Sequence, residues 1–188
     1  MTRSGSMGTT RAARTVAGLI LAALLPGCAD EGGSSQPGRG APRLRVTGSG
    51  FSDGDTIPTR YTCDGGNVSP ALRWEGVPDA GGYALTMVDP DAPGGTFVHW
   101  VAVGIPSTHV PRDGLPKEAW EGANGSGAEG YTGPCPPEGD EPHRYVFTVY
   151  ALSGDVPEVE GGASLEEVLT AIECCVEARG VLTGRYGR

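Results

Sequence analysis

The side chains of this chain that could do chemistry fall in two stretches. In residues 89–106, DPDAPGGTFVHWVAVGIP, two aspartates flank a proline where an apolar run ends, and His99 stands beside Trp100 in the next apolar run. In residues 133–145, GPCPPEGDEPHRY, His143 and Tyr145 open a further apolar run. A buried strand normally closes on neutral turn residues, so two carboxylates at its exit require partners, either structural hydrogen bonds or a ligand. Asp89 and Asp91 are two apart and in extended geometry point the same way, as do His143 and Tyr145. Adjacent carboxylates repel unless a cation or a donor intervenes. The expectation is one pocket where both stretches meet, with Asp89, Asp91, His99, His143 and Tyr145 as its polar groups.

Several chemistries compete for that set. A metal site of two carboxylates and two imidazoles is chemically reasonable, but neither HExxH-like spacing nor Cys/His pairing supports it. A hydrolase would need a nucleophile; the chain has no G-x-S-x-G elbow, and Ser69 in NVSP carries no mark of one. Aspartates in a DPD run also tie down turns, with no ligand involved. A pocket for a small polar head group fits the residue types best: imidazoles and backbone N–H groups hold phosphate oxygens, while carboxylates hold an ammonium or a hydroxyl. No cofactor motif accompanies the set, and an enzyme using acid/base catalysis is not expected.

The elements that must position these groups read as a mainly β domain. Gly (32) and Pro (16) make up about a quarter of the 188 residues, yet they punctuate strand-like runs instead of forming one biased tract. Strand signals occur at 44–47, 72–74, 83–89, 98–105 and 144–152, and 181–186 reads as a last strand or extended tail. The near-continuous apolar character of 83–89 and 98–105 implies burial on both faces. Residues 106–131 read as a long loop. The one good helix signal runs from Ser164 to Arg179: Ser164 with Glu167 forms a capping box, Leu165, Val168, Leu169 and Ile172 form a stripe, and Gly180 closes it.

Upstream, Arg3, Arg11 and Arg14 precede an apolar run at 16–25 that is too short to span a bilayer, the pattern of a secretory signal. Leu25, Gly27 and Cys28 stand where a bacterial lipobox has its Leu, small residue and acceptor thiol, with Pro26 where Ala or Ser is usual. The reading is a lipoprotein signal over 1–27 with lipidation on Cys28, a Gly/Ser/Pro-rich tether over 28–42, and a folded domain over 43–188 held outside the cytoplasm, or secreted if the lipobox is not used. The formal net charge is -9 and the first 27 residues hold no acid, which argues against a nucleic-acid partner.

DPDAP followed by HW, then GPCPP with HRYVFTVYAL, resemble the two pocket motifs of the phosphatidylethanolamine-binding protein family. YTCDGGNVSPALRW and LTGRYGR resemble its bacterial Raf kinase inhibitor-like, or YbhB/YbcL-like, branch. The likeness covers 51–188 and implies a two-sheet β domain with a C-terminal helix packed on it. It also implies a small anion-accepting pocket formed by Asp89, Asp91, His99, Cys135, Pro136, His143 and Tyr145. The function implied is non-enzymatic binding of a phosphate-bearing, anionic or zwitterionic head group. The alternative is a protein-interaction module that inhibits an external kinase or protease through surface loops, such as the one carrying Asp113 and Glu118. Where relatives commonly have Gly-His in the C-terminal helix, this chain has Cys174 and Cys175, which bears on any part that imidazole plays in the pocket. Of the four remaining cysteines, Cys63 and Cys135 are expected either to pair with the Cys174/Cys175 helix or to stay free.

Overall fold

The computed structural model describes residues 43–188. They form, in order, β1 (Arg45–Gly48), β2 (Leu72–Glu75), β3 (Gly82–Asp89), β4 (Phe97–Ile105), β5 (His109–Val110), β6 (Trp120–Glu121), β7 (His143–Leu152), α1 (Leu165–Ile172) and β8 (Val176–Tyr186). All pairings between these strands are antiparallel. They make a three-stranded sheet of order β1-β2-β5 and a five-stranded sheet of order β6-β4-β3-β7-β8. A mainly β, two-sheet domain with one short helix is therefore what this sequence forms.

The apolar runs of β3 and β4 are buried on both faces because each face has its own core. Leu85, Met87, Trp100, Phe147 and Trp74 belong to the larger cluster, which draws on both sheets. Ala84, Val101, Val103 and Leu152 meet Val168 and Ile172 of α1 in a second cluster. The capping box is present: Ser164 Oγ accepts from the Glu167 N–H, and the Glu167 carboxylate accepts from the Ser164 N–H at 2.8 Å. The long loop at 106–131 contains the two-residue strands β5 and β6, which close the outer edges of the two sheets.

The helix is shorter than its sequence pattern implied. It stops at Ile172, a 3-10 turn spans Glu173–Cys175, and β8 begins at Val176. From there every second residue is buried, Ala178, Gly180, Leu182, Gly184 and Tyr186, and β8 pairs with β7 from Leu152↔Val176 to His143↔Tyr186. Gly180 thus lies inside a strand and does not cap a helix. The period-two signal is hidden because two of the inward positions are glycine. Neighbouring residues lie too close for a side chain: a Cβ on Gly180 would lie 2.7 Å from that of Leu44, and one on Gly184 would collide with the Ile57 side chain.

Arg43 forms a bridge to Arg179, and the Leu44 N–H donates to the Arg179 carbonyl at 3.1 Å, so the chain enters the domain beside the first third of β8. Gly180→Ala forces Leu44 and Val46 off the strand and should cost roughly 1–3 kcal/mol of stability, the range for overpacking. A lowered chemical-denaturation midpoint at unchanged slope is the expected reading; an unshifted midpoint would show that the close approach constrains nothing.

Candidate functional site

A cavity of about 330 Å³ opens at the end of the five-stranded sheet where β3 ends and β4 and β7 begin. Five of the seven sequence-expected residues line it: Asp89, His99, Cys135, Pro136 and His143. The two chemical stretches do meet, through a bond between residues 54 apart in sequence: the Nδ1 of His143 is 2.8 Å from Asp89 Oδ2. Asp89 is 3 % exposed, and its other oxygen accepts the Asp91 N–H at 2.8 Å. Its charge is therefore met by one imidazole and one backbone donor, the condition under which a buried carboxylate is tolerated.

Asp91 is placed differently. The strand ends at Asp89, because Pro90 cannot continue the ladder, and Asp91 turns outward to Arg144. The contact is bidentate: Arg144 Nη2 donates to Oδ1 at 2.6 Å and Nε to Oδ2 at 2.8 Å, while the Arg144 backbone N–H adds a third bond to Oδ2 at 2.9 Å. These bonds hold the Asp91 carboxyl far below the usual carboxylate range. Asp91 does not line the cavity; it fixes the start of strand β7 at Arg144 and so positions His143 next door. The cation that relieves the two-carboxylate repulsion is Arg144, which the sequence reading had not singled out.

His99 owes its position to a β-bulge. The β3–β4 register steps from Met87↔Trp100 to Val88↔Val98, leaving His99 as the extra residue. Bulges re-aim side chains in this way. Thr132 then grips it twice: its N–H donates to the His99 carbonyl at 2.9 Å and its carbonyl accepts from Nδ1 at 2.7 Å. The proton is therefore on Nδ1, and Nε2 is an acceptor. Burial lowers the His99 pKa, against the smaller opposing pulls of Thr132 and Asp89. Phe97 packs edge-on against the ring at 4.8 Å from within the cavity wall.

Tyr145 is wholly buried, edge-on to His99 at 5.2 Å, and does not line the cavity. Its hydroxyl has no hydrogen-bond partner among the described residues, and burial together with the Asp89 carboxylate pushes its pKa well up. Phe97 was legible in principle, two residues before His99 on the same strand. Thr132 was not, since it comes from the irregular segment before GPCPP, and Gly133, the first residue of that motif, has no side chain to mark it. Gly133 is held where the Asn67 side chain accepts its N–H at 2.7 Å, a spot where a Cβ would strike the Tyr61 carbonyl.

The wall at Cys135 is tied to the 59–67 loop. Cys63 and Cys135 form a disulfide with each other, Cα atoms 5.4 Å apart, and the Cys63 N–H also donates to the Pro134 carbonyl. Pairing with the helix is thereby excluded. Cys174 and Cys175 are free and lie at the far end of β8 from the cavity, so the residues replacing Gly-His touch no part of it.

Residues 47–187 match the family described as phosphatidylethanolamine-binding protein. The chain belongs to that family. It is 48 % identical over 146 residues to a UPF0098 protein of Methanothermobacter thermautotrophicus, covering 73 % of this chain and 95 % of the relative. It is 35 % identical over 188 residues to LppC of Mycobacterium tuberculosis, named as a candidate lipoprotein, covering 90 % and 93 %. Among solved structures, Escherichia coli YbcL, described as a new member of the mammalian PEBP family, superposes with a TM-score of 0.72 at 35 % identity, covering 78 % of this chain and 99 % of that one. The PEBP-family fold thus carries the cavity described above.

Acid should weaken this domain over two separable pH ranges. The depressed His99 group contributes stability that is present above the ordinary histidine pKa of about 6.5 and is lost as pH falls through and below it. The depressed Asp91 group contributes stability that is present above about 3.9 and lost only at lower pH. In chemical denaturation at a series of pH values, His99→Gln should flatten the first limb and Asp91→Asn the second. Identical pH profiles for wild type and both variants would refute these assignments.

Proposed function

We propose that this protein is a non-enzymatic binding protein whose cavity accepts a small anionic or zwitterionic head group, phosphate-bearing by preference, and that it works outside the cytoplasm on a lipid anchor at Cys28. The observation that carries the reading is the pairing of His143 with Asp89 at a cavity that also holds a neutral His99. With Nδ1–H donating to Asp89, His143 has Nε2 left over, with the Asp140 carboxylate 3.8 Å away at its edge. A phosphate oxygen entering the cavity meets His143 at this nitrogen, in a charge-assisted hydrogen bond. His99 Nε2 plays the complementary part, accepting an N–H or O–H from the ligand. One donor facing one acceptor suits a phosphate that carries an ammonium or hydroxyl better than it suits a bare dianion. Asp91, spent on Arg144, takes no part in holding the ammonium.

The anchor rests on Leu25, Gly27 and Cys28 and on the likeness to LppC, which extends over 90 % of this chain. Among the described residues no helix is long and apolar enough to cross a membrane.

Titrating the purified protein with phosphate, phosphoethanolamine and glycerophosphoethanolamine, while following the histidine ring signals by NMR, tests the site. His99 and His143 should shift together and saturate, with the amine-bearing ligands bound more tightly, and His143→Ala should abolish the response. Silence of both rings toward all three ligands would remove the reading. Incorporation of labelled palmitate in a bacterial host should be lost in Cys28→Ala; undiminished labelling of that variant would rule out the proposed anchor.

A further inference from the structure

The covalent tie in the cavity wall stands in the open: Cys63 and Cys135 are both exposed, and Cys135 lines the cavity. On its two sides the wall is held differently. Before it, the Tyr131 hydroxyl donates to the Tyr61 carbonyl at 2.6 Å, the Gly133 N–H to the Asn67 side chain at 2.7 Å and the Cys63 N–H to the Pro134 carbonyl at 3.1 Å. The 59–67 loop and residues 131–134 are thus in register without any covalent bond. After it, residues 135–142, CPPEGDEP, run as an irregular connection to β7. Among the described residues, the hydrogen bonds and ion pairs of this connection to other segments come from Arg188 and, at Asp140, from His143. Arg188 Nη1 is 3.7 Å from Cys135 Sγ and Nη2 is 3.5 Å from Glu138, while the Arg188 carbonyl accepts the Gly139 N–H at 3.2 Å. Its Nε donates to Asp64 at 3.1 Å, beside Cys63. Two ties therefore run in parallel from the loop to the connection, one covalent and one ionic.

We propose that the Cys63–Cys135 disulfide is a reversible redox switch on the cavity: its reduction by a dithiol oxidoreductase working outside the cytoplasm loosens the 135–142 connection and weakens binding. Exposed disulfides are the ones that exchange with such thiols. Loosening reaches the cavity directly, because Cys135, Pro136 and Pro137 line it and the Asp140 carboxylate lies 3.8 Å from His143 Nε2. A wall that is no longer held in place must be ordered when a ligand enters, which lowers affinity. The hydrogen bonds before Cys135 keep the two cysteines within reach of each other, so the reduced chain stays folded and can reclose. The ligand part of this inference rests on the head-group reading of the cavity.

The chemistry is thiol–disulfide exchange. One thiolate of the dithiol attacks Cys63 Sγ and breaks the S–S bond. Cys135 leaves as a thiolate beside the Arg188 guanidinium, a neighbour that favours the charged sulfur. Asp64 and Glu138 hold that guanidinium in place. The second thiol of the dithiol then attacks the dithiol's own sulfur in the mixed disulfide and releases Cys63. The protein disulfide takes up two electrons and two protons, and the dithiol supplies both as it closes to a disulfide.

The test takes the full chain in detergent, blocks its free thiols with N-ethylmaleimide and applies dithiothreitol without denaturant. Iodoacetamide labelling read by peptide mass should then mark Cys63 and Cys135, while circular dichroism keeps its β signal. Affinity for phosphoethanolamine should fall about fivefold on reduction, the cost of ordering one or two freed side chains on binding, and should return on reoxidation. Cys63→Ser should bind weakly with or without reductant. Arg188→Gln should bind as the wild type while oxidised and more weakly than the wild type once reduced, because only then is the ionic tie alone. A disulfide that resists dithiothreitol until denaturant is added, a domain that unfolds on reduction, or a reduced protein with undiminished affinity overturns the proposal. If phosphoethanolamine does not bind even the oxidised protein, the head-group reading falls and the ligand-free protein decides the switch. Hydrogen exchange of amides 138–141 should then quicken on reduction while that of β7 does not, and unchanged exchange overturns the switch.

Discussion

A carboxylate with almost no exposure at the end of a central strand is the constraint on which this site depends. Asp89 is tolerated in the interior because both of its oxygens are engaged, one by the backbone of the turn that follows and one by the ring of His143. Satisfying it fixes the turn out of β3, the start of β7 and the orientation of one imidazole at once. The Asp91–Arg144 contact is an outer brace on the same corner: it is partly solvated and worth little as an isolated ion pair, yet its three bonds define where His143 begins. The charged corner that looked like a cluster of ligands is one buried acid with its positioning apparatus.

The sequence carried most of the fold and the central part of the site. Continuous apolar runs located β3, β4 and β7, and the capping box located the start of α1. The end of that helix was obscured by physics that acts at a distance: Gly180 and Gly184 are inward strand positions because Leu44 and Ile57 press against them, and nothing local to residues 176–186 reveals those neighbours. The same holds in the cavity. Asp89, His99 and His143 were visible as chemical types, whereas Thr132, which sets the His99 tautomer, acts through its backbone and leaves no side-chain signature. A spacing of two placed Asp91 with Asp89, and that inference failed because Pro90 ends the strand between them.

The cysteines show the limit of counting thiols. Four candidates permitted three pairings, and the choice came from loop contact: the Cys63 N–H meets the Pro134 carbonyl, which brings the next residue into bonding range. The disulfide then acts as a wall tie, joining the 59–67 loop to the proline-rich segment that lines the cavity.

The β7–β8 ribbon separates two ends of the molecule that differ in kind. Pairing continues from Leu152↔Val176 to His143↔Tyr186, a length of about 30 Å at the usual strand rise. The mouth is at one end, and the entry of the chain beside Arg179 is near the other. The ribbon works as a strut: it keeps the mouth of the cavity and the edge where Leu44 meets Arg179 at opposite ends of the five-stranded sheet. A solute can then reach the cavity without passing the strand edge at which residue 43 enters the domain.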